Sequence, residues 1–306
     1  MMDLERIAPE LHKPVKAISR MPVPLNNRLG RAIIRRLGGV VSSTLEEGVS
    51  VEHVHDADVY VFRPAQCKSS AALLWIHGGG YVLGSPKQDY ALCSQVAAEL
   101  GVVVVATAYR LSPEHPFPAP LDDCHAAWNW MIASADSLGI DKNRIAVGGQ
   151  SAGGGLAAGL VHRLHDEGGV QPVAQWLLCP MIDDRTATDR NLDAVGHRVW
   201  NNRLNRIGWT AYLGREPGGA DVPPLAAPAR RTDLSGLPPA FIGVGSVDLF
   251  VEEDRVHAER LRAAGVPCEY LEVEGAPHGF EAWASETRMA KDYLAEARRW
   301  LAGHLS

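Results

Sequence analysis

The stretch Val147-Gly-Gly-Gln-Ser-Ala-Gly-Gly-Gly155 decides how this chain folds. It contains the pattern Gly-x-Ser-x-Gly around Ser151, and it joins a short β-like run, residues 144–147, to an amphipathic helical pattern, residues 156–164. A tight turn from strand to helix holds a serine in a strained, exposed position, and only glycine two residues before and after it leaves room for the neighbouring backbone. A serine presented in this way acts as a nucleophile when a base lies beside it. The stretch therefore predicts a strand–turn–helix unit that presents Ser151.

Strand-like and helix-like segments alternate along the chain from about residue 48 onward. Residues 71–76 and 102–108 are continuous apolar runs, typical of strands buried on both faces of a parallel sheet. The alternation predicts a doubly wound α/β sheet with helices on both faces. The other predicted strands are 49–55 and 59–63 (a hairpin), 144–147, 173–179, 240–245 and 268–273, and the predicted helices are 88–100, 118–135, 156–164, 252–264 and 286–304.

Two segments do not fit this alternation. Residues 1–45 have a helical pattern before the first strand, with a basic amphipathic helix over 28–36, and residues 182–225 are too long for an ordinary connection between strands. Because ligands bind at the carboxyl ends of the strands in such sheets, we expect both segments to form a cap over that edge. The alternative is a surface insertion without a functional role. The expected core, residues 46–181 and 226–306, folds as one unit with the cap.

Composition excludes several classes of protein. With 306 residues, 46% of them hydrophobic, and a net charge of -6, the chain has an ample core and no basic stripe for nucleic acid. Its five cysteines are widely spaced and odd in number, which predicts a reduced compartment rather than a disulfide framework. No signal-like segment or run of ~20 apolar residues is present, so we expect a cytoplasmic protein without stable membrane insertion.

A second motif, His77-Gly-Gly-Gly80, directly follows the apolar run that ends at Ile76. Acyl transfer builds negative charge on a carbonyl oxygen, and backbone N–H groups held near that oxygen stabilise it. A glycine run can turn its N–H groups inward, and the N–H of Ala152, the residue after the serine, would complete such an oxyanion hole. A phosphate-binding loop is the alternative, but the chain lacks the Gly-x-Gly-x-x-Gly and Walker patterns.

A third motif is a pair of residues that would complete a catalytic triad with Ser151. Asp248 follows the predicted strand 240–245, and His278 follows the predicted strand 268–273. The order serine, aspartate, histidine along the chain is the order in which α/β hydrolases carry their triad. His278 would accept the proton of Ser151, and Asp248 would orient the imidazole and stabilise its charged form. Other candidates for the acid lie on the next predicted helix, where carboxylates more often face solvent: Glu252, Glu253 and Asp254.

Two histidine pairs are candidate metal ligands. His53 and His55 alternate on a predicted strand near two aspartates, and His162 and His165 share a helix face, but neither pair has an evident third ligand. We therefore predict no metal site.

Together these motifs resemble the hormone-sensitive-lipase family of α/β hydrolases, the group IV bacterial esterases. The resemblance runs from about residue 71 to residue 280 and rests on the motifs at 77–80, 109–114, 117–119 with Asp123, 149–153, Asp248 and 278–280. It departs from the family pattern at Gln150, where Asp or Thr is common, and after Asp248, where the family has Pro and this chain has Leu249.

The resemblance implies an α/β-hydrolase fold with an eight-stranded, mostly parallel sheet and a helical cap. It implies hydrolysis of short- to medium-chain carboxylic esters, with no cofactor, and a homodimer formed through an edge strand such as 268–273. The implied oxyanion donors are Gly79 and Gly80 with Ala152, and also Gly78. The predicted substrate pocket comprises Tyr81, Gln150, Trp200, Trp209 and Tyr212, although the aromatic residues of 182–225 could instead hold the cap together.

The sequence thus predicts a serine carboxylesterase that acts on a small-molecule ester. Two alternatives stay open at this point. One is a catalytically silent relative that binds a small ligand, although such relatives typically lose a triad residue. The other is an amidase, peptidase or acyltransferase with the same triad, because the shape of the pocket and its access to water, rather than the triad, separate these reactions.

Overall fold

The computed structural model describes residues 2–19 and 45–306, together with residues 25, 27, 28, 30–32 and 35. A twisted sheet of eight strands lies between two layers, each with its own apolar core. The strands are β1 (Val49–Val54), β2 (Val59–Pro64), β3 (Ala72–Ile76), β4 (Val103–Thr107), β5 (Ile145–Gln150), β6 (Gln175–Leu178), β7 (Ala240–Gly245) and β8 (Cys268–Val273).

The helices alternate with these strands. The described α-helices are α1 (His12–Ile18), α2 (Tyr90–Leu100), α3 (Ala119–Ala133), α4 (Ala135–Leu138), α5 (Ala152–Glu167), α6 (Asn191–Val195), α7 (Asn202–Leu213), α8 (Val251–Ala263), α9 (Phe280–Trp283) and α10 (Arg288–Leu305). Short 3-10 turns lie at Leu4–Arg6, Pro9–Leu11, Pro86–Asp89, Asp184–Thr188 and Pro228–Arg230.

The strand order across the sheet is β1-β2-β4-β3-β5-β6-β7-β8. β1 and β2 form the predicted hairpin, β2 pairs antiparallel with β4, and the remaining neighbours are parallel. Every residue of β3 and β4 is buried, as expected for strands covered on both faces. The α/β-hydrolase fold with an eight-stranded, mostly parallel sheet is therefore confirmed.

The strand order reverses at β3. The chain leaves β3 for β4 on one side and then returns to place β5 on the other side. The loops that follow β3 and β5 therefore separate, and a crevice opens between them at the carboxyl edge of the sheet, where ligands bind in open α/β folds. His77 follows β3 and Ser151 follows β5, so both motifs border this crevice.

One strand extends beyond its predicted end. The sequence predicts an end at Val147, whereas β5 continues to Gln150. Glycine has a low strand propensity, so the sequence does not predict Gly148 and Gly149 as part of the strand. In the structure they pair with Trp75 and Ile76 of β3, because the parallel ladder supplies backbone partners that do not depend on a side chain.

The two predicted cap segments are only partly described. The basic helix predicted over residues 28–36 lies largely outside the described residues. Residues 2–18 are helical in part. They contact the segment 182–225, where the Met2 amide donates to the Gly196 carbonyl at 2.7 Å, and the segment 226–306, where the Ala8 amide donates to the Gly275 carbonyl at 2.9 Å. The segment 182–225, called the insertion below, contains α6 and α7. The division into cap and core stays a prediction.

Glycines permit the turn around Ser151 to pack tightly. A Cβ atom at Gly149 would lie 2.3 Å from the Gly153 carbonyl oxygen, and one at Gly153 would lie 2.1 Å from the Ile76 carbonyl oxygen. Both separations are far below a normal contact, so the backbones of β3, β5 and α5 meet with no room for side chains. This confirms the steric reason for glycine on both sides of the serine.

Three further expectations concern the surface and the thiols. All five cysteines are unpaired. None of the helices in the described ranges is long and apolar enough to cross a membrane. β8 is an edge strand with β7 as its partner, and its pairing between two copies of the chain stays a prediction.

Two glycines inside helices give a matched test of this packing. Gly153→Ala should destabilise the fold by about 2 kcal/mol or more, because its Cβ would strike the Ile76 backbone. Gly303→Ala in α10 meets no atom within 4 Å, so we expect it to stabilise the protein by up to ~1 kcal/mol through helix propensity. Urea unfolding of both variants beside the wild type measures the two effects. Equal midpoints for all three proteins would contradict the packing argument.

Candidate active site

Ser151 lies on the sharp turn between β5 and α5. It has a φ of 55° and a ψ of -121°, an unfavourable conformation for a residue other than glycine. Its amide donates to the Leu178 carbonyl at 2.8 Å, and its carbonyl accepts from the Met181 amide at 2.9 Å. These bonds tie the turn to the segment after β6, so the surrounding backbone holds the strained conformation in place.

Three side chains form one continuous hydrogen-bonded chain. The Nε2 atom of His278 lies 2.9 Å from the Ser151 hydroxyl oxygen, and Nδ1 lies 2.8 Å from Oδ2 of Asp248. A carboxylate only accepts, so Nδ1 carries the proton and Nε2 is free to accept from the serine hydroxyl. The other carboxylate oxygen of Asp248 accepts from the Phe250 amide at 3.0 Å. The structure thus brings together Ser151, His278 and Asp248, as the sequence predicts.

Opposing effects act on the imidazole of His278. Burial lowers the pKa of His278, while the charge of Asp248 and its hydrogen bond raise it. The net result is a pKa above the ordinary histidine value of 6.5. Asp248, with a smaller contribution from the charge of Glu281, therefore outweighs burial and stabilises the charged imidazolium that forms when the ring accepts a proton.

The other candidate acids do not reach the histidine. Glu253 accepts from the backbone amides of Ile182 and Asp183 and so holds the start of the insertion. The carboxylate oxygens of Asp254 have no hydrogen-bond partner among the described residues. The expectation that these helix-borne carboxylates face solvent is wrong for Glu253 and Asp254, which are both buried. Glu252 is exposed and pairs with Arg255. Burial raises the pKa of both Glu253 and Asp254 well above normal.

Residues 77–80, called the glycine loop below, pack directly against the turn. A Cβ atom at Gly78 would lie 3.0 Å from the Gln150 carbonyl oxygen and 3.4 Å from the Ser151 Cβ. Gly79 and Gly80 have φ values of 127° and 60°, which favour glycine. No residue in the described part of the chain accepts a hydrogen bond from the N–H groups of residues 78, 79, 80 or 152.

Buried polar contacts fix the base of this loop. Burial lowers the pKa of His77 to about 4, so its ring is neutral at pH 7, and its Nδ1 lies 2.8 Å from the Gly78 carbonyl oxygen. The Tyr109 hydroxyl donates to the His77 carbonyl at 3.0 Å, and the two rings stack. Nearby, Asp123 accepts from the side chain and the amide of Arg110. These contacts agree with a structural role for the motifs at 109–114 and 117–123.

The five predicted pocket residues occupy different places. Tyr81 stacks on Tyr212 at 3.9 Å between ring centroids and donates to the Met181 carbonyl, and both rings are fully buried with Trp209. These three residues pack the insertion against the core. Trp200 is different because its ring covers Gly80 and lies 6.3 Å from the His278 ring. Among the four aromatic residues of the predicted pocket, Trp200 is therefore the one with the position of a pocket wall, and the pocket itself stays a prediction.

Gln150 contacts a residue that the sequence analysis missed. Its side-chain amide donates to Oε1 of Glu281 at 2.5 Å. Glu281 is buried on α9, three residues after His278, and burial raises its pKa. The only sequence signal was its place next to the histidine motif, since a glutamate is usually exposed.

Two cavities flank the hydrogen-bonded chain. One, of about 700 Å³, is lined by Asp248, Leu249 and His197. The other, of about 500 Å³, is lined by Gln150, Glu281 and Asp89. The first therefore adjoins the acid and the second adjoins the turn that carries the serine.

The predicted absence of a metal site stays a prediction. Within the described ranges, one group of three possible ligands comes together, Cys179 with Asp248 and His278, and two of these residues already belong to the hydrogen-bonded chain. His53 pairs with Asp58 at 2.9 Å. The nitrogens of buried His162 have no partner among the described residues.

The balance of charge and burial at His278 can be measured directly. Asp248→Asn should lower the pKa of His278 from above 6.5 to below it, because burial stays and the raising charge is lost. Imidazole titration by NMR, with the His278 signal assigned by its loss in His278→Gln, measures this change. Asp292→Asn, an exposed site on α10, is the control. An unchanged His278 pKa in Asp248→Asn would show that this carboxylate does not set it.

A sequence model of the family described as the alpha/beta hydrolase fold matches residues 73–282, more than half of the chain. The chain is 37% identical over 226 residues to the carboxylic ester hydrolase LipN of Mycobacterium tuberculosis, a match that covers 72% of this chain and 59% of LipN. It is 30% identical over 255 residues to an ethyl acetate hydrolase of Pseudomonas putida, covering 82% of this chain and 80% of that protein.

Solved structures agree over almost the full length. A bacterial heroin esterase superposes with a TM-score of 0.88 at 36% identity and covers 99% of both chains. An esterase from the bacterial hormone-sensitive lipase family superposes with a TM-score of 0.81 at 30% identity, over 98% of this chain and 99% of that one. The chain therefore belongs to the bacterial hormone-sensitive-lipase family of the α/β-hydrolase superfamily, a family of carboxylic ester hydrolases.

Proposed function

We propose that this protein is a serine carboxylesterase that acts through an acyl-enzyme at Ser151. The observation that carries the proposal is the unbroken hydrogen-bonded chain from Asp248 through His278 to Ser151, with both distances between 2.8 and 2.9 Å. A silent binding protein has no need to keep a strained serine, a correctly oriented imidazole and a buried carboxylate in one line. The names of the relatives, which include an ethyl acetate hydrolase, agree with an ester substrate.

In the first half-reaction, the Ser151 oxygen attacks the ester carbonyl carbon while Nε2 of His278 takes the hydroxyl proton. The carbonyl π electrons move to the oxygen, which becomes an oxyanion. When they return, the bond to the alkoxy oxygen breaks and the imidazolium gives its proton to the departing alcohol. The raised pKa of His278 favours the imidazolium, and Asp248 balances its charge.

The oxyanion would be held by backbone N–H groups of the glycine loop and the turn. Gly79, Gly80 and Ala152 are the proposed donors, with Gly78 as a further one. Support comes from their N–H groups, which no described residue occupies, and from the contact between the loop and Ser151. Ala152 also opens α5, so the positive end of the helix dipole lies at the same place.

In the second half-reaction, a water molecule attacks the acyl carbon while His278 takes its proton, and Ser151 leaves as the alcohol with that proton restored. An amine or a second alcohol in place of water would give acyl transfer instead, and an amide substrate would give amidase activity. These reactions use the same residues, and the protein's relatives favour ester hydrolysis.

We propose short acyl groups as the preferred substrates. Trp200 covers Gly80 and lies beside His278, so its indole would narrow the space next to the scissile bond. The neighbouring aromatic residues of the insertion are packed into the core and leave that wall fixed. Ethyl acetate, the substrate in one relative's name, carries a short acyl group.

Replacing the nucleophile tests the reaction. Ser151→Ala should lower kcat on p-nitrophenyl esters by at least about a thousandfold, because no acyl-enzyme can form. The measurement covers acetate through dodecanoate, with circular dichroism to show that the variant folds. Ser137→Ala, which removes an exposed hydroxyl on α4, should keep full activity. A folded wild type that turns over none of these esters would favour the silent binding protein.

Replacing the proposed pocket wall tests the substrate size. Trp200→Ala should raise the rate on octanoate relative to butyrate by roughly tenfold, because the larger space accepts a longer chain. The wild type should favour acetate and butyrate. Trp130→Ala, a half-buried tryptophan on α3, serves as the control. A wild type that cleaves dodecanoate faster than butyrate would contradict the proposal of short acyl groups.

A further inference from the structure

A hydrogen bond outside the triad joins the two loops that carry the serine and the histidine. Gln150 precedes Ser151 on the turn, and Glu281 follows the histidine loop, which we define as residues 275–280. The bond from the Gln150 amide nitrogen to Oε1 of Glu281 measures 2.5 Å and connects positions 131 residues apart. Together with the 2.9 Å contact between Ser151 and His278, it holds the serine turn against both the histidine loop and the helix that follows that loop.

The Gln150 side chain also fills the space between both loops and the oxyanion side of the site. Its Oε1 atom lies 3.4 Å from the Cβ position of Gly78, and its Nε2 atom lies 3.7 Å from the Cβ position of Gly279. Gly78 and Gly279 have no side chains, so Gln150 fits between the backbones that flank Ser151 and His278. The Gln150 side chain therefore lies close to the backbone of both loops.

Glu281 is itself held firmly at the start of α9. It is 5% exposed. In the same short helix, the Trp283 indole donates to the His278 carbonyl at 2.8 Å, which fixes α9 to the histidine loop. Glu281 is thus a rigid acceptor rather than a mobile surface carboxylate.

The charge of Glu281 also acts on the histidine. Burial lowers the pKa of His278, and Glu281 adds to the raising effect of Asp248. Burial raises the pKa of Glu281, whereas the bond from Gln150 and the charge of His278 favour its ionised form. The titratable groups that interact with Glu281 or His278 are Asp248, Asp89, Cys179 and Tyr293.

We propose that Gln150 and Glu281 form a positioning pair that sets the alignment of Ser151 with His278. This inference rests on the proposed esterase function. Neither residue touches the reacting atoms; the pair acts through the two loops that it joins. It also gives Gln150 a role in alignment, beyond its predicted place in the substrate pocket.

The surroundings of Gln150 and Glu281 allow both residues to be replaced without unfolding the protein. Gln150 and Glu281 line the cavity of about 500 Å³ described above. Their side chains therefore face open space on one side, and truncation removes a hydrogen bond without opening a void in the apolar core. We expect the variants to fold.

A double-mutant cycle tests the pair. Gln150→Ala and Glu281→Ala should each lower kcat on p-nitrophenyl butyrate by roughly 10–100-fold with KM within about twofold, because misalignment affects the chemical step. The double variant should lose no more than either single variant, since both remove the same bond. Losses that multiply in the double variant, or unchanged kcat in the single variants, would overturn the proposal.

A swapped pair separates the hydrogen bond from general damage. Gln150→Glu combined with Glu281→Gln keeps one amide and one carboxylate at the same two positions, with the donor and acceptor exchanged. We expect it to recover most of the kcat that either alanine variant loses. Recovery no better than in the alanine double variant would count against the proposal. Glu286→Gln, an exposed carboxylate on the rim of the same cavity, is the matched control.

The charge of Glu281 is tested by the isosteric Glu281→Gln. This variant keeps an oxygen to accept from Gln150 and removes a negative charge that raises the pKa of His278. The acid limb of kcat/KM should therefore move to lower pH, and the His278 imidazole should titrate lower by NMR. An unchanged His278 pKa would overturn the effect of the Glu281 charge on the histidine, while the double-mutant cycle decides on the positioning pair.

The NMR titration does not require turnover. If the wild type hydrolyses no ester while Glu281→Gln still lowers the pKa of His278, the esterase function fails and the link between Glu281 and the histidine stands. If the wild type is active and the cycle shows no coupling, the function stands and the positioning pair fails.

Discussion

The contact of backbone against backbone around Ser151 is the constraint on which the rest of the structure depends. β3, β5 and the start of α5 approach so closely that a single added carbon at Gly153 would fall 2.1 Å from a carbonyl oxygen. This approach brings the glycine loop, which leaves β3, within reach of the serine, which leaves β5. It also forces Ser151 into a conformation that its hydrogen bonds to Leu178 and Met181 must hold. A looser turn would separate Ser151 from the proposed oxyanion donors.

The other two residues of the site, Asp248 and His278, follow strands in the other half of the sheet. β7 and β8 end at the same edge as β5, so Asp248 and His278 meet Ser151 although they come from distant parts of the sequence. Burial disfavours a charged imidazole, and the carboxylates of Asp248 and, to a smaller extent, Glu281 overcome this effect. Glu253 and Asp254 are buried close by in sequence, but Glu253 is used to hold the insertion by its backbone amides. The position of a carboxylate after the end of a strand, rather than its residue type, therefore decides which one accepts the hydrogen bond from His278.

Much of this arrangement could be predicted from the sequence because its causes are local. Apolar runs predict buried parallel strands, and glycines at fixed offsets from Ser151 predict the turn. The order of Ser151, Asp248 and His278 follows from strand ends that share one edge. The contacts of Glu281 could not be predicted, since a glutamate on a short helix is normally exposed and its partner lies 131 residues away. The sequence also could not predict that Trp200 lies beside His278 while Trp209 is buried in the core, because both residues belong to the same insertion.

The separation of Ser151 from His278 by 127 residues has a consequence for biosynthesis. A ribosome makes the strand before the serine and the helix after it well before it reaches the histidine, and domains generally fold as units. The stretch that carries Ser151 is therefore synthesised while the histidine has not yet been translated. A nascent chain at that stage holds a serine without a base, and a serine without a base is a poor nucleophile. Under the proposed mechanism, the order of residues leaves the growing polypeptide without activity until the histidine after the last strand has been made.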